Sequence, residues 1–229
     1  MEQNEQARLS ALSNASMLSA IGVTLMYGLS LLLALLAPAS VAVGVVSLIG
    51  LILWLVGIYN TSSAFKGFNA AVAASFERLF KAQLVIVIAV VAYWVLIILI
   101  PQILGYKGVK ASIVIIKLLT IALFVCLIMY MAKSNKECRT LKGLGLKSMG
   151  TASIAFTIQL VILAVSALIA VIALFRTGDF LSFLIGDGLG GAVVITILMG
   201  LAALVAAVFM IIGWWSVRNE LPRLSADEK

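Results

Sequence analysis

The chain contains no histidine, and its 229 residues include only nine acidic side chains against 16 basic ones. Without histidine there is no histidine-ligated haem, no His-containing zinc site, no histidine-dependent serine protease dyad and no phosphotransfer histidine. The acidic residues are Glu2, Glu5, Glu77, Glu137, Asp179, Asp187, Glu220, Asp227 and Glu228, and all lie between or outside the long apolar runs. Proton relays normally use an embedded carboxylate or histidine. Paired-carboxylate and triad chemistry needs groups that spacing brings together, and this sequence offers neither. There is also no Gly-Lys-Ser phosphate loop. The two cysteines, Cys126 and Cys138, show no metal-ligand spacing and imply no disulfide framework. Cys138 reads as a reduced thiol, with acylation near a membrane surface as the second reading. The expectation is a non-enzyme with no cofactor and no metal.

What the chain has in abundance is apolar surface. Hydrophobic residues make up 64%, mean hydropathy is +1.22 and only 11% of residues are charged, against roughly a quarter in a soluble domain. A helix needs about 20 apolar residues to cross about 30 Å of hydrocarbon. Six stretches qualify: Met17 to Leu36, Val41 to Tyr59, Ala82 to Ile100, Ile113 to Met131, Ala152 to Leu174 and Ala192 to Trp215. The alternating pattern of a barrel strand is absent, and backbone groups in lipid must be satisfied within a helix or a closed barrel. The sequence therefore predicts an all-α, polytopic integral membrane bundle of six transmembrane helices, one domain over residues 1–229.

Lysine and arginine in short loops stay in the cytoplasm. Twelve of the 16 fall on one side: Arg8, Lys66, Arg78, Lys81, Lys133, Lys136, Arg139, Lys142, Lys147, Arg218, Arg223 and Lys229. Lys107, Lys110, Lys117 and Arg176 fall on the other. This bias predicts a multi-pass protein of the cell membrane with both termini cytoplasmic. The net charge of +7 is then a topology signal suited to anionic lipid head groups, with no nucleic acid as partner. Glu2 and Glu5 outweigh Arg8 where an export signal should be basic, so the first span reads as an uncleaved anchor.

The connection Ala37, Pro38, Ala39, Ser40 forces the first two spans into an antiparallel pair. The link over residues 60–81 places Phe65, Phe68, Val72, Phe76 and Leu79 or Phe80 at near-helical spacing, with Lys66, Glu77, Arg78 and Lys81 between them. It reads as an amphipathic helix lying in the head-group layer, an anchor first and a docking element second. Val56 to Asn60 and Ile212 to Ser216 share a glycine followed by aromatics, as an interfacial aromatic belt would produce; a duplication of helix pairs is the other reading.

Stripes of small residues mark where helices approach closely in lipid. Gly50 and Gly57 form one in the second span, and Thr196, Gly200, Ala203 and Ala207 another in the sixth. In the fifth, Ala152, Ala155, Ser166, Ala170 and Ala173 surround Gln159. Gln159 is the one strongly polar side chain near the middle of a span and should bond across to a neighbouring helix. Lys117 is the one charge well inside a span, within reach of the outer head groups by snorkelling. Lys110, Asp179 and Asp187 offer it a charge cluster on the outer side. Gly186 to Gly191 match a dinucleotide-type glycine pattern only formally, since no strand precedes them. The short piece Phe180 to Ile185 reads as interfacial or re-entrant. The glycosylation triplets at Asn14 and Asn60 fall on the cytoplasmic side and should be unmodified.

The run VAVGVVSLIGLILWLVGIYNTSSA from Val41 to Ala64, with the polar N-terminal stretch leading into an apolar helix, resembles an uncharacterised archaeal family of small multi-span membrane proteins. The likeness covers the first third and the last helix, and implies a membrane protein without catalytic residues to transfer. The expected role is an accessory or interaction component of a membrane assembly, with other membrane subunits or a homo-oligomer as partners. The alternative is a facilitative channel or carrier for a small solute, its path using Gln159, Ser166, Thr196 and Lys117.

Overall fold

The computed structural model describes residues 2–30, 41–104, 109–176 and 189–226, with their side chains except at 2–5, 8, 109–110, 173–176, 189–196 and 221–226. Helix α1 covers Glu2–Val23 and continues as a π-helical segment, Thr24–Leu29; α2 is Val41–Phe65, α3 Ala70–Leu104, α4 Val109–Gly143, α5 Met149–Arg176 and α6 Leu189–Ala226. Among the described residues, six helices are long and apolar enough to cross a membrane. The described chain is an all-α bundle of a multi-pass membrane protein.

The helices form a closed ring in chain order: each packs on its neighbours in sequence, and α6 returns to α1. The turns are cut by local chemistry. Asn69 caps α3, its Oδ1 accepting from the Val72 N–H at 3.0 Å. Helix α4 ends in a Schellman motif, in which the Leu146 N–H reaches Leu141 O at 3.1 Å and the Gly145 N–H reaches Lys142 O at 3.2 Å. Gly145 has φ 105°, a conformation that side chains with a Cβ resist. At the start of α5, the Ser148 N–H (3.0 Å) and hydroxyl (2.7 Å) donate to Glu220 Oε2, which ties α6 to α5.

Several helices outrun the bilayer. Helices α3 and α4 have 35 residues each, about 52 Å at 1.5 Å per residue, against about 30 Å of hydrocarbon. The surplus lies at the end carrying Lys66, Arg78, Lys81, Lys136, Arg139, Lys142 and Lys147, here termed the basic end. This is where the core sits. Leu12, Phe65, Val72, Phe76, Leu79, Cys138, Leu141, Leu146, Met149, Trp214 and Val217 are all inaccessible or nearly so. In the opposite half, residues 41–49, 84–104, 113–133, 157–172 and 197–205 contain no buried side chain. Water supplies a hydrophobic drive at a helix end that leaves the membrane, whereas acyl chains supply none between spans. The asymmetry of packing follows from that difference.

Two expectations about boundaries change accordingly. Residues 60–81 do not form a separate helix on the membrane surface: α2 runs to Phe65, a turn follows, and α3 starts at Ala70. Their apolar face is spent inside the bundle, with Phe65, Val72, Phe76 and Leu79 each 0% exposed. The ring of Phe76 lies 6.2 Å from that of Phe65 and 6.4 Å from that of Trp214. The first helix also starts well before Met17, and Leu12 and Ala15 bury against the bundle. The connection at 37–40, the piece Phe180 to Ile185 and Gly186 to Gly188 of the glycine pattern lie outside the described residues, as do Lys107, Asp179 and Asp187.

Candidate functional site

Helices α1 and α2 approach each other backbone to backbone. A Cβ on Gly50 would fall 2.5 Å from the Met26 nitrogen and 2.7 Å from Gly22 O, and one on Gly57 2.5 Å from the Ser19 nitrogen. Backbones touch there because neither glycine carries a side chain. Gly213 does the same for α6, where a Cβ would lie 2.9 Å from the Ala152 nitrogen. The likeness between residues 56–60 and 212–216 thus has a packing cause, since each glycine seats its helix on the one before it. The aromatic belt fits only part of the motif: Tyr59 is exposed, but Trp214 is a core residue.

On the inner face of α6, Trp214, Met210 and Ala207 are buried, and Ala203, one turn further from the basic end, is exposed. The bundle interior therefore opens at that level. Below it, Trp54 and Trp214 meet edge to face at 6.0 Å, and Phe76 and Phe156 join the same cluster. These rings form an aromatic floor. On the floor's open side lies a cavity of about 260 Å³ lined by Met26, Tyr27, Ser30, Gln159, Ala203 and Ala207.

The cavity is shaped by the π-helical segment. There the Ser30 N–H bonds to Leu25 O, five residues back, and the Ser30 hydroxyl donates to the same carbonyl at 2.8 Å. Ser47 of α2 donates to Ser30 Oγ at 2.8 Å, and Trp215 of α6 donates from Nε1 to Thr24 Oγ1 at 2.8 Å. The widened turn is therefore pinned on both sides. Single π-turns inside α-helices are frequent at functional sites. This one sets Tyr27 against Gln159, whose Nε2 donates to the Tyr27 hydroxyl at 3.1 Å. Gln159 Oε1 is buried and has no partner among the described residues, an omission worth about 1–3 kcal/mol in a buried amide.

Ser166 and Lys117 do not line this cavity. Ser166 donates to Ile162 O of its own helix at 2.8 Å. Lys117 is half-buried on α4. The side chains of Thr196 and Lys110 lie outside the described ones. Gly200 is not a packing position: it is exposed, and a Cβ there meets nothing within 4 Å. It sits in the half where the helices have no drive to close. Ala207 is packed, whereas Ala203 lines the cavity. Sequence reasoning missed Tyr27, Met26 and Ser30. A tyrosine in mid-span, away from the interfacial belt, was the available signal for Tyr27.

Polar side chains also bridge helices toward the basic end. Gln83 donates to Ser134 Oγ at 2.7 Å, linking α3 to α4, and Asn135 and Arg139 of α4 reach Thr157 and Ser153 of α5. Arg78 Nε lies 3.0 Å from Glu137 Oε1, with Glu137 largely covered and Arg78 more than half exposed. Cys138 is 0% exposed. A thiol so placed is closed to acylation in the folded protein. Among the described residues, no three His, Cys, Asp or Glu side chains come together as a metal site. No protein-family model matches the chain, and neither curated proteins nor solved structures give a match.

Proposed function

We propose that the protein is a non-catalytic, non-conducting component of a membrane assembly, with both termini in the cytoplasm. The aromatic floor carries this reading. Trp54, Phe65, Phe76, Phe156 and Trp214 are each at most 1% exposed, and a channel or carrier needs a continuous hydrated path past them. The flank of α3 from Leu84 to Leu104 buries no side chain within the chain's own bundle, which leaves it for lipid, another subunit or a second copy. The basic end suits anionic head groups. Native mass spectrometry of protein extracted gently from its own membranes tests the reading. A stoichiometric second chain is expected, and a chain that emerges alone and conducts solute in liposomes overturns it.

A facilitative channel or carrier for a small solute is the second reading, favoured by the polar pair Gln159 and Tyr27 above the floor. On that reading Gln159→Leu abolishes flux in liposomes; normal flux in that variant removes Gln159 from the path.

A further inference from the structure

We propose that a cleft between α1 and α2 at the basic end binds an uncharged, hydroxyl-rich group such as a sugar or glycerol. The site lies outside the accessory role and does not depend on it. The cleft measures about 430 Å³, within the roughly 300–1,000 Å³ of small-ligand sites. Its lining follows directly on the backbone contact between Gly57 and Ser19. Past that contact, Ala15 and Ala64 are too small to fill the space between the two helices, and the exposed residues Asn14, Asn60 and Ser63 line it as well. Asn14 stands three residues before Met17 and Asn60 directly after Tyr59. Those are the ends of the two spans that hydropathy predicts, so the polar part of the cleft lies in the head-group layer. Leu18 continues the lining toward the acyl chains.

The polar lining defines the ligand. Neighbouring hydroxyls are spent within the chain: Ser16 donates to Ser13 O at 2.9 Å, Thr61 to Gly57 O at 2.7 Å and Ser62 to Ala73 O at 2.9 Å. The side chains of Asn14, Asn60 and Ser63 have no partner among the described residues. A carboxamide presents a donor beside an acceptor whichever way it is turned, and a serine hydroxyl presents both on one atom. A ligand that satisfies these groups must donate and accept at adjacent positions, as vicinal hydroxyls do. A phosphate only accepts and an ammonium only donates, so each leaves half of the groups unmet. The described lining also holds no charged side chain to pair with either ion.

Two sources carry such a group: the head of a lipid, and a free sugar or polyol. The probe is a dioleoylglycerol bearing one glucose, titrated into the full chain in an amine-oxide detergent and followed by native mass spectrometry. Two lipids with the same acyl chains serve as comparisons, one with its glucose hydroxyls methylated and one with a phosphocholine head. The glucosyl lipid is expected to bind one per chain and about tenfold more tightly than either, the effect of one hydrogen bond. Asn14→Leu and Asn60→Leu, both at exposed positions, should each erase that preference. Ala11→Phe, at another exposed position in the lining, should lower binding of the glucosyl lipid by filling the cleft. Equal binding of the three lipids, or a preference that survives these substitutions, overturns the proposal. Methyl glucoside at equal concentration separates the sources. Displacement of the lipid points to a free sugar, and retention of the lipid points to a lipid head group.

Discussion

Replacing Phe76 with alanine removes a fully buried ring from the basic end, where it is held between Phe65 at 6.2 Å and Trp214 at 6.4 Å. An aromatic side chain buries roughly 150–250 Å², and at about 25 cal/mol per Å² the loss of most of it costs about 3 kcal/mol before the cavity is counted. With the cavity and the two ring contacts, Phe76→Ala should destabilise the bundle by about 3–5 kcal/mol. Ile98→Ala supplies the contrast. Ile98 is 58% exposed in the half without a core, and its truncation should cost under about 0.5 kcal/mol, as at other surface positions. Reversible unfolding by sodium dodecyl sulfate in mixed bicelles, followed by tryptophan fluorescence, measures both. Equal losses for the two variants, or a loss below about 1 kcal/mol for Phe76→Ala, would refute the idea that the basic-end core fastens the fold.

Glycine substitutions should sort by helix contact: Gly57→Val, forced against the backbone at Ser19, should lower stability by about 1–3 kcal/mol or more. Gly200→Ala, in open space, should be neutral or gain up to about 1 kcal/mol from helix propensity; the same unfolding assay reads both. Glu220→Ala removes charged acceptance of the Ser148 N–H and hydroxyl and should cost about 1.5–3 kcal/mol, with faster amide exchange at the start of α5. Arg78→Ala leaves the buried Glu137 without its cation; because Arg78 is half exposed, a loss of about 1–2 kcal/mol is expected, smaller than for a fully buried pair. Cys138 should resist maleimide in the folded protein and react only after denaturation, a contrast readable by mass.

Hydropathy made six spans legible because the cost of unpaired backbone in lipid leaves so few alternatives. It could not mark where helices end, since a helix continues into water without any change of period; hence α1 begins before Met17 and α3 before Ala82. The aromatic spacing of residues 60–81 was also visible. An apolar face does not name its partner, however, and here Phe65 stacks on Phe76 and Phe76 packs on Trp214 inside the bundle. Gln159 stood out as a lone polar side chain in apolar text. Tyr27, 132 residues away, became its partner only when α6 returned to α1 and brought α5 with it. The π-turn has no local signature in Thr24 to Leu29. Gly200 was misleading because a small-residue stripe records the capacity for close approach, and in the open half of the bundle that capacity goes unused.

Water contact at the aromatic floor tests the account most directly. Hydroxyl-radical labelling of the intact protein in lipid nanodiscs, resolved by residue, reports which side chains water reaches. Trp54 and Trp214, at 1% and 0% exposure, should stay unmodified under conditions that oxidise Tyr59, which is 55% exposed. Labelling of both tryptophans in the folded protein would reveal a hydrated passage through the ring, contradict the sealed bundle, and turn the functional reading to conduction.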